Sequence, residues 1–505
     1  MIFELSTPGE RGIRVPLPEQ NVRNLVGEGV DSLPEGLRRT QLPSLPEMGQ
    51  MRVLRHFLRL SQETLGADLN IDIGQGTCTM KYSPKVNERI LQDSGLRDLH
   101  PLVRSESAQG VLEIFWRLGQ FIAEISGLDV VTLQPAAGSA AIWTNVAIIR
   151  AYHRERGEGD SRDEVITTSF SHPSNAACAK TAGYRVLTLP PDREGYPDME
   201  LLRAAVSHRT AGLLITNPED TGIFNPRIAE VVDIIHGVGG LAAYDQANAN
   251  GILGITRARE AGFDLCHFNL HKTFSTPHAS GGPAAGACAA KAELSPFLPI
   301  PVVSHDGQKP VLDYDRPYSI GKVSPFYGVV PNVVRAYAWI RSLGAEGLRL
   351  VAETAVLNNN YLMDRILDIE GASAPYATGR RRLEQTRYSW KDLTEETAVT
   401  SSEIGVRASD FAVHYWTSHH PHVVPEPFTL EPTESYSMAE LDEYADILAA
   451  VAHEARSNPK MVRNAPYQQS IHRIDPGDLD DPERWVTSWR AYNRKYPNRP
   501  TGHSR

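Results

Sequence analysis

Cysteine is scarce. Four thiols, Cys78, Cys178, Cys266 and Cys288, stand far apart in 505 residues, and none belongs to a C-x-x-C pair. A disulfide framework is excluded and a reducing compartment is expected. Long apolar runs are missing as well: none approaches the ~18 residues that a membrane-spanning helix requires. The start, Met1-Ile2-Phe3-Glu4-Leu5, has neither the basic nor the apolar stretch of a secretory leader, so a cytoplasmic protein is expected. Positive charge is in deficit. Lys and Arg number 51 against 61 Asp and Glu, a net charge of -10 without long like-charged runs, which argues against nucleic acid or anionic membrane as partner. Repeats and low-complexity tracts are also lacking.

What is present is an ordinary globular composition, 41% hydrophobic and 22% charged, on a chain long enough for several domains and a large core. From about Leu99, short apolar runs alternate with helical spacing. Strands are expected at Val130 to Leu133, Glu164 to Thr168, Tyr184 to Leu189, Gly212 to Thr216, Gly240 to Tyr244 and Leu265 to Phe268. Helices are expected at Arg52 to Gly66, Gly110 to Ser126, Ala141 to Arg154, Asp198 to Val206 and Arg227 to His236. This alternation describes an α/β protein with a mostly parallel sheet covered by helices on both faces. Beyond Pro301 the pattern becomes helical, at Asn332 to Leu343 and at Leu348 to Ile366, the second leading into a smaller C-terminal α+β domain. Ser437 and Glu440 have capping-box spacing and open a helix to Arg456. Gly371 to Gln385, with its run Arg380-Arg381-Arg382, reads as an exposed, solvated segment. The tail from residue 457, carrying Trp485 and Trp489, reads as packed and fraying at its end.

The chemistry is carried by residues that follow strand ends, where ligands bind in such sheets. His267-Phe268-Asn269-Leu270-His271-Lys272-Thr273 puts Lys272 after a buried strand, ahead of a Ser/Gly/Pro-rich loop from Ser275 to Gly286. A lysine held there can act as an amine nucleophile toward an aldehyde, which pyridoxal phosphate chemistry needs. Asp245 ends the run Leu241-Ala242-Ala243-Tyr244, where a carboxylate can keep a pyridine nitrogen protonated. Gln134-Pro135-Ala136-Ala137-Gly138-Ser139-Ala140 lies between a strand and a helix start, a cradle for an anion such as a phosphate. Alone, each has a plain reading: a surface lysine, a cap, a turn. Gly138, His172, Asn217, Asp245 and Lys272 all follow strand candidates, so one ligand can touch all five.

These residues resemble the glycine decarboxylase P-protein family, in its subunit 2 or C-terminal-half form. The resemblance runs from Ile2-Phe3-Glu4-Leu5-Ser6 and Arg55-His56-Phe57 through Gly76-Thr77-Cys78-Thr79-Met80-Lys81-Tyr82-Ser83-Pro84-Lys85. It continues in Leu133-Gln134-Pro135-Ala136-Ala137-Gly138, Thr216-Asn217-Pro218 and His271-Lys272-Thr273-Phe274-Ser275-Thr276-Pro277-His278, and ends near Leu430-Glu431-Pro432-Thr433-Glu434. It implies a fold-type I, PLP-dependent transferase-like enzyme with pyridoxal 5'-phosphate as cofactor. It implies a glycine-cleavage activity that decarboxylates a small amino acid and passes an aminomethyl group to a lipoyl carrier protein. It implies an oligomer, homo- or heteromeric, with a homologous subunit 1-type chain as candidate partner. Lys272 would then be the lysine bound to the cofactor aldehyde, Asp245 the pyridine partner and His172 the imidazole stacked on the ring. Asn217 and Asn248 would lie near the phenolic oxygen. Ala137, Gly138, Ser139, Asn269 and His271 would lie at the phosphate end. The expected division is an arm and interface segment over 1–95, a large cofactor domain over 96–335, and a small domain with tail over 336–505.

The chain also departs from the family. A loop usually reading Ala-Gly-Ala-His-Gly-Glu is here Ala137-Gly138-Ser139-Ala140-Ala141-Ile142, and a usual arginine is Ser324 in Val323-Ser324-Pro325-Phe326. The family's His-Glu-Phe-Val-Leu-Ser segment is not recognisable; Tyr388 to Thr400 stands in its place. These changes leave open a divergent PLP enzyme acting on another amino acid without the lipoyl carrier, and a non-catalytic subunit. Thr79 and Lys81, on a loop, and Arg316 and Lys322 are the candidates for substrate contact. His414, His419, His420 and His422 match no strong zinc pattern, so no metal is expected.

Overall fold

In this computed structural model, residues 2–13, 15–27, 32–41, 45–63, 69–74, 78–277, 282–376, 378–416, 423–469, 486 and 488–497 are described. Residues 65–468 form one compact unit; residues 1–64 and 469–505 form another.

The larger unit is organised by a seven-stranded sheet: β1 (Val130–Thr132), β2 (Glu164–Thr168), β3 (Arg185–Leu189), β4 (Thr210–Thr216), β5 (Leu241–Gln246), β6 (Leu265–Asn269) and β7 (Gly286–Ala290). Their spatial order is β1-β7-β6-β5-β4-β2-β3. Pairing is parallel from β3 through β2, β4 and β5 to β6; β7 runs antiparallel to both β6 and β1.

Successive residues of the inner strands enter opposite cores, which is why these strands read as continuous apolar runs. In β5, Ala242 and Tyr244 join a core with α1 (Gln109–Ser126). Leu241 and Ala243 join the other core, with Val146 and Ile149 of α2 (Gly138–Glu155) and Ala179 of α3 (Pro173–Thr181). Leu213 and Leu214 of β4 divide in the same way, and α4 (Ile228–Gly237) packs on the α1 side. At ~1.5–3 kcal/mol for each fully buried large aliphatic side chain, this two-sided burial is the main force holding the strand ends in place.

Strand β7 has no sequence signal. Gly286-Ala287-Cys288-Ala289-Ala290 lacks both β-branched residues and alternation, yet all five are buried. The need for small residues is geometric: a Cβ on Gly286 would lie 2.9 Å from the Ala141 Cβ and 3.0 Å from the Ala137 carbonyl oxygen. Close packing of α2 on the sheet overrides strand propensity. An antiparallel hairpin of β8 (Val302–His305) and β9 (Pro310–Asp313) follows.

A second core gathers the C-terminal elements. Helix α5 (Val330–Leu367) is broken at Gly344, whose φ of 67° and ψ of -177° lie outside helical space. Its first half contributes Val333, Ala336 and Trp339 to the sheet core, and its last turns contribute Leu362, Met363 and Ile366 to the second. The two helices expected at Asn332 to Leu343 and Leu348 to Ile366 are thus the arms of α5. The second core also holds an antiparallel pair, β10 (Thr386–Ser389) and β11 (Pro427–Leu430), with α6 (Ser401–Ser409) and α7 (Met438–Ser457). The expected capping box forms: Ser437 accepts from Glu440 N, and the Glu440 carboxylate accepts from Ser437 N.

The expectation of a solvated segment from Gly371 to Gln385 needs correction. Arg380 and Arg381 are exposed, but Arg382, Glu384 and Gln385 are buried. The Arg382 guanidinium donates to carbonyls, those of Pro375 and Tyr376 among them, so the segment is solvated as far as Arg381 and turns inward at Arg382.

In the smaller unit, the helix Gln50–Ser61 carries the expected Val53, Leu54, Phe57, Leu58 and Leu60, yet none of its residues is buried. Arg52 pairs with Glu10 at 2.8 Å, and Phe3 packs on the rings of Trp489 and Tyr492. Gly76, Thr77, His278, His419, His420, His422 and Trp485 lie outside the described residues. Among the described residues, no helix is long and apolar enough to cross a membrane, and no cluster of three or more His, Cys, Asp or Glu could hold a metal ion.

Candidate active site

A cavity of about 270 Å³ opens at the carboxyl ends of the strands. The chain reaches it from the end of β1 through Ala137, Gly138 and Ser139, and from the end of β2 through His172. It arrives again from β5 through Asp245, Ala247 and Asn248, and from β6 through His267, Asn269, His271 and Lys272. The strand order reverses between β3-β2 and β4-β5-β6, which leaves a crevice of the kind in which α/β sheets bind ligands.

Asp245 is 3% exposed and held on several sides. Its Oδ2 accepts from Asn175 Nδ2 at 2.8 Å, and its Oδ1 accepts from the Ala247 N–H at 3.0 Å. Burial pushes this carboxyl up. His267, the Asn175 and Ala247 donors and His172 pull it down, and the balance lies below the usual carboxylate range. A carboxylate is therefore kept ionised away from water. Lys272 shares the cavity, with its main-chain N–H donating to the Asn269 carbonyl at 3.1 Å.

The opposite end is built from a helix N-terminus. Helix α2 begins at Gly138, and Ser139 Oγ lies 2.8 Å from Ser174 Oγ. Free N–H groups of a first helical turn favour an anion. A Cβ on Gly138 would lie 2.6 Å from Asn269 Nδ2 and 2.7 Å from Asn269 Oδ1, so any larger residue would displace the Asn269 amide. Asn269 Oδ1 is buried without a hydrogen-bond partner. His271 is fixed by the Ala285 backbone, with Nδ1 2.9 Å from the carbonyl oxygen and 3.1 Å from the N–H. His172 both lines the cavity and caps α3, its Nδ1 accepting from Ser174 N at 3.1 Å.

Asn217 stands apart from the other residues expected to bind cofactor. It does not line the cavity; its Oδ1 accepts from Asn225 N at 2.7 Å and its Nδ2 donates to the Asn225 carbonyl at 3.3 Å. Asn248 lines the cavity and donates to Glu431 Oε1 at 2.8 Å.

None of the four residues expected on the substrate side lines it. Thr79 donates to Glu431 at 2.9 Å, behind Asn248. Lys81 is buried, donating to Asn250 Oδ1 at 2.6 Å and to the Thr273 carbonyl at 2.9 Å, and pairing with Glu434 at 2.9 Å. Arg316 is engaged by Asp313 at 2.6 Å and by Ser295. Lys322 lies outside the lining.

Several lining residues had no assigned role from sequence. Glu384 and Gln385 reach the cavity ahead of β10, and Asp220, paired at 3.3 Å with the buried Arg387, comes from the turn after β4. Burial, reinforced by Glu431, raises the Glu384 carboxyl to about 8. Burial raises Glu431 to about 7, against the Asn248 and Thr79 hydrogen bonds and the nearby Lys272 and Lys81 ammonium groups. Glu431 does not itself line the cavity but holds Asn248, and of these four residues it alone falls in a sequence motif, Leu430-Glu431-Pro432-Thr433-Glu434.

Two families match this architecture segment by segment: aminotransferase class-V over residues 139–278, and the glycine dehydrogenase C-terminal domain over residues 351–471. A probable glycine dehydrogenase (decarboxylating) subunit 2 of Thermococcus kodakarensis is 42% identical over 493 residues, 97% of this chain and 96% of the relative. Another, of Halalkalibacterium halodurans, is 41% identical over 94% of this chain and 95% of its own length. A crystal structure of a glycine decarboxylase (P-protein) of the glycine cleavage system, in inhibitor-bound form, superposes with a TM-score of 0.69 at 18% identity, covering 87% of this chain and 100% of that one. The chain belongs to the glycine dehydrogenase (decarboxylating) subunit 2 family.

Proposed function

We propose that this chain is the pyridoxal phosphate-bearing subunit of a glycine-decarboxylating enzyme. The observation that carries the reading is one cavity holding Lys272, an ionised and buried Asp245, and the N-terminus of α2. The residue set fits the cofactor: an amine for the aldehyde, a carboxylate for the pyridine nitrogen, and the N-terminus of α2 for the phosphate. When bound, the cofactor supplies an electron sink for the charge left on the amino acid's α carbon.

The residues divide the remaining work. Lys272 would hold the cofactor aldehyde through its side-chain amine, at the place where a substrate amine would compete for it. Asp245 holds a proton at the pyridine nitrogen, and Asn175 and Ala247 hold Asp245 in turn. His172, fixed by Ser174, lines the cavity and would lie against the cofactor ring. The relatives' designation as subunit 2 supports a second, subunit 1-type chain as partner, and a lipoyl carrier protein would accept the aminomethyl group.

One observation favours a second reading, an enzyme acting on a different amino acid. Asp220 and Glu384 line the cavity, and these carboxyl groups could engage a polar side chain that glycine lacks. Exchange of labelled bicarbonate into glycine separates the two. With a lipoyl carrier and a subunit 1-type chain supplied, exchange supports glycine cleavage. Its absence, together with a cofactor spectral change induced by another amino acid, supports the divergent enzyme.

A further inference from the structure

Asp245 and His267 are direct neighbours across the parallel pair β5 and β6. Both are almost completely buried, and both line the cavity. His267 Nε2 lies 3.3 Å from Asp245 Oδ1, close enough for an ion pair but not aligned as a hydrogen bond, and it has no other hydrogen-bond partner. A buried imidazole nitrogen with a carboxylate as its near neighbour is expensive to leave idle. We propose that His267 is a positioning residue for Asp245: its Nε2–H holds Oδ1 and keeps the carboxylate aimed and ionised, while the ring itself remains neutral. The role is additional to the one assigned to Asp245 and rests on the reading of this cavity as a pyridoxal phosphate site.

The geometry restricts the tautomer. With its proton on Nδ1, His267 would turn a lone pair toward a carboxylate oxygen, which is repulsive; with the proton on Nε2 the contact is attractive. The electrostatics restrict the charge. Burial holds the His267 imidazolium below the ordinary histidine range, and Lys272, His172 and His271 act in the same direction, against Asp245. From β7, the facing residue is Cys288, whose thiol is held protonated by burial. A neutral donor is what this position calls for. An arginine or lysine there would cancel the Asp245 charge, leaving nothing to stabilise a protonated pyridine, whereas an apolar residue would leave a buried carboxylate one donor short.

The test has a cofactor-free arm and a cofactor arm. In the apoprotein, nitrogen NMR of the histidine rings is expected to show His267 neutral and protonated at Nε2 from pH 6 to 8, with Asp245→Asn weakening that preference. In the cofactor arm, His267→Phe is expected to weaken pyridoxal phosphate binding about tenfold, the effect of losing one close attractive contact to a buried charge. It should also make the cofactor's absorption band titrate across that pH range. His267→Gln, which keeps a neutral N–H, should restore both. An Nδ1-protonated or cationic His267 in the apoprotein overturns the proposal, as does a His267→Phe protein with wild-type affinity and pH profile. Wild-type protein that binds no pyridoxal phosphate overturns the cofactor reading instead, and the tautomer measurement then still decides the His267–Asp245 contact.

Discussion

The ammonium nitrogen of Lys81 lies 2.9 Å from the carbonyl oxygen of Thr273, the residue that follows Lys272. The same nitrogen meets Asn250 at 2.6 Å and Glu434 at 2.9 Å and sits 4.9 Å above the Trp339 ring. One buried cation thus ties the turn that carries Lys272 to the loop after β5 and to the segment after β11. Lys81 supports the site from behind.

Lys81→Met is therefore expected to destabilise the protein by about 3–5 kcal/mol, because it leaves Glu434 and two oxygens unpaired in a buried setting. Thermal unfolding checks this. A midpoint within a degree of wild type would mean that the network is not holding the turn.

Gly138→Ala should weaken pyridoxal phosphate binding by about tenfold or more, with the fold retained. Alanine suits a helix, but its Cβ would press on Asn269, beside the helix N-terminus proposed to hold the phosphate. Titration of the apoprotein with cofactor, read by absorbance, measures the change. Unaltered affinity would place the phosphate elsewhere.

How the site could be read from the sequence follows from where each residue stands. Gly138, His172 and Lys272 each stand shortly after a strand and Asp245 stands in the last residues of one, so strand ends in the sequence point to all four. Strand β7 was illegible because its residues were set by the space beside α2. Glu384 was hidden next to three arginines, where a charged string usually means solvent; only the packing of Arg382 on nearby carbonyls reverses that reading. Lys81 was recognised as important, but a sequence does not reveal which way a buried ammonium points.

Glu384→Gln tests the acidic wall through pH. Burial raises this carboxyl to about 8 in the fold. A group bound more tightly to its proton when folded stabilises the protein at acid pH, and that stabilisation is lost as pH rises from the ordinary carboxylate range toward about 8. The amide cannot ionise. The variant's unfolding midpoint, relative to wild type, should therefore rise by a few degrees between pH 5 and pH 8. A difference independent of pH would show that Glu384 is not held neutral.

The central claim is that Lys272 in this cavity binds pyridoxal phosphate through its side-chain nitrogen. Borohydride reduction of the cofactor-loaded protein, followed by peptide mapping, tests it directly. The expected result is one phosphopyridoxyl label on the peptide carrying Lys272, lost in Lys272→Ala and retained in Asp245→Asn. A label on another lysine, or none on the wild-type protein, would contradict the account.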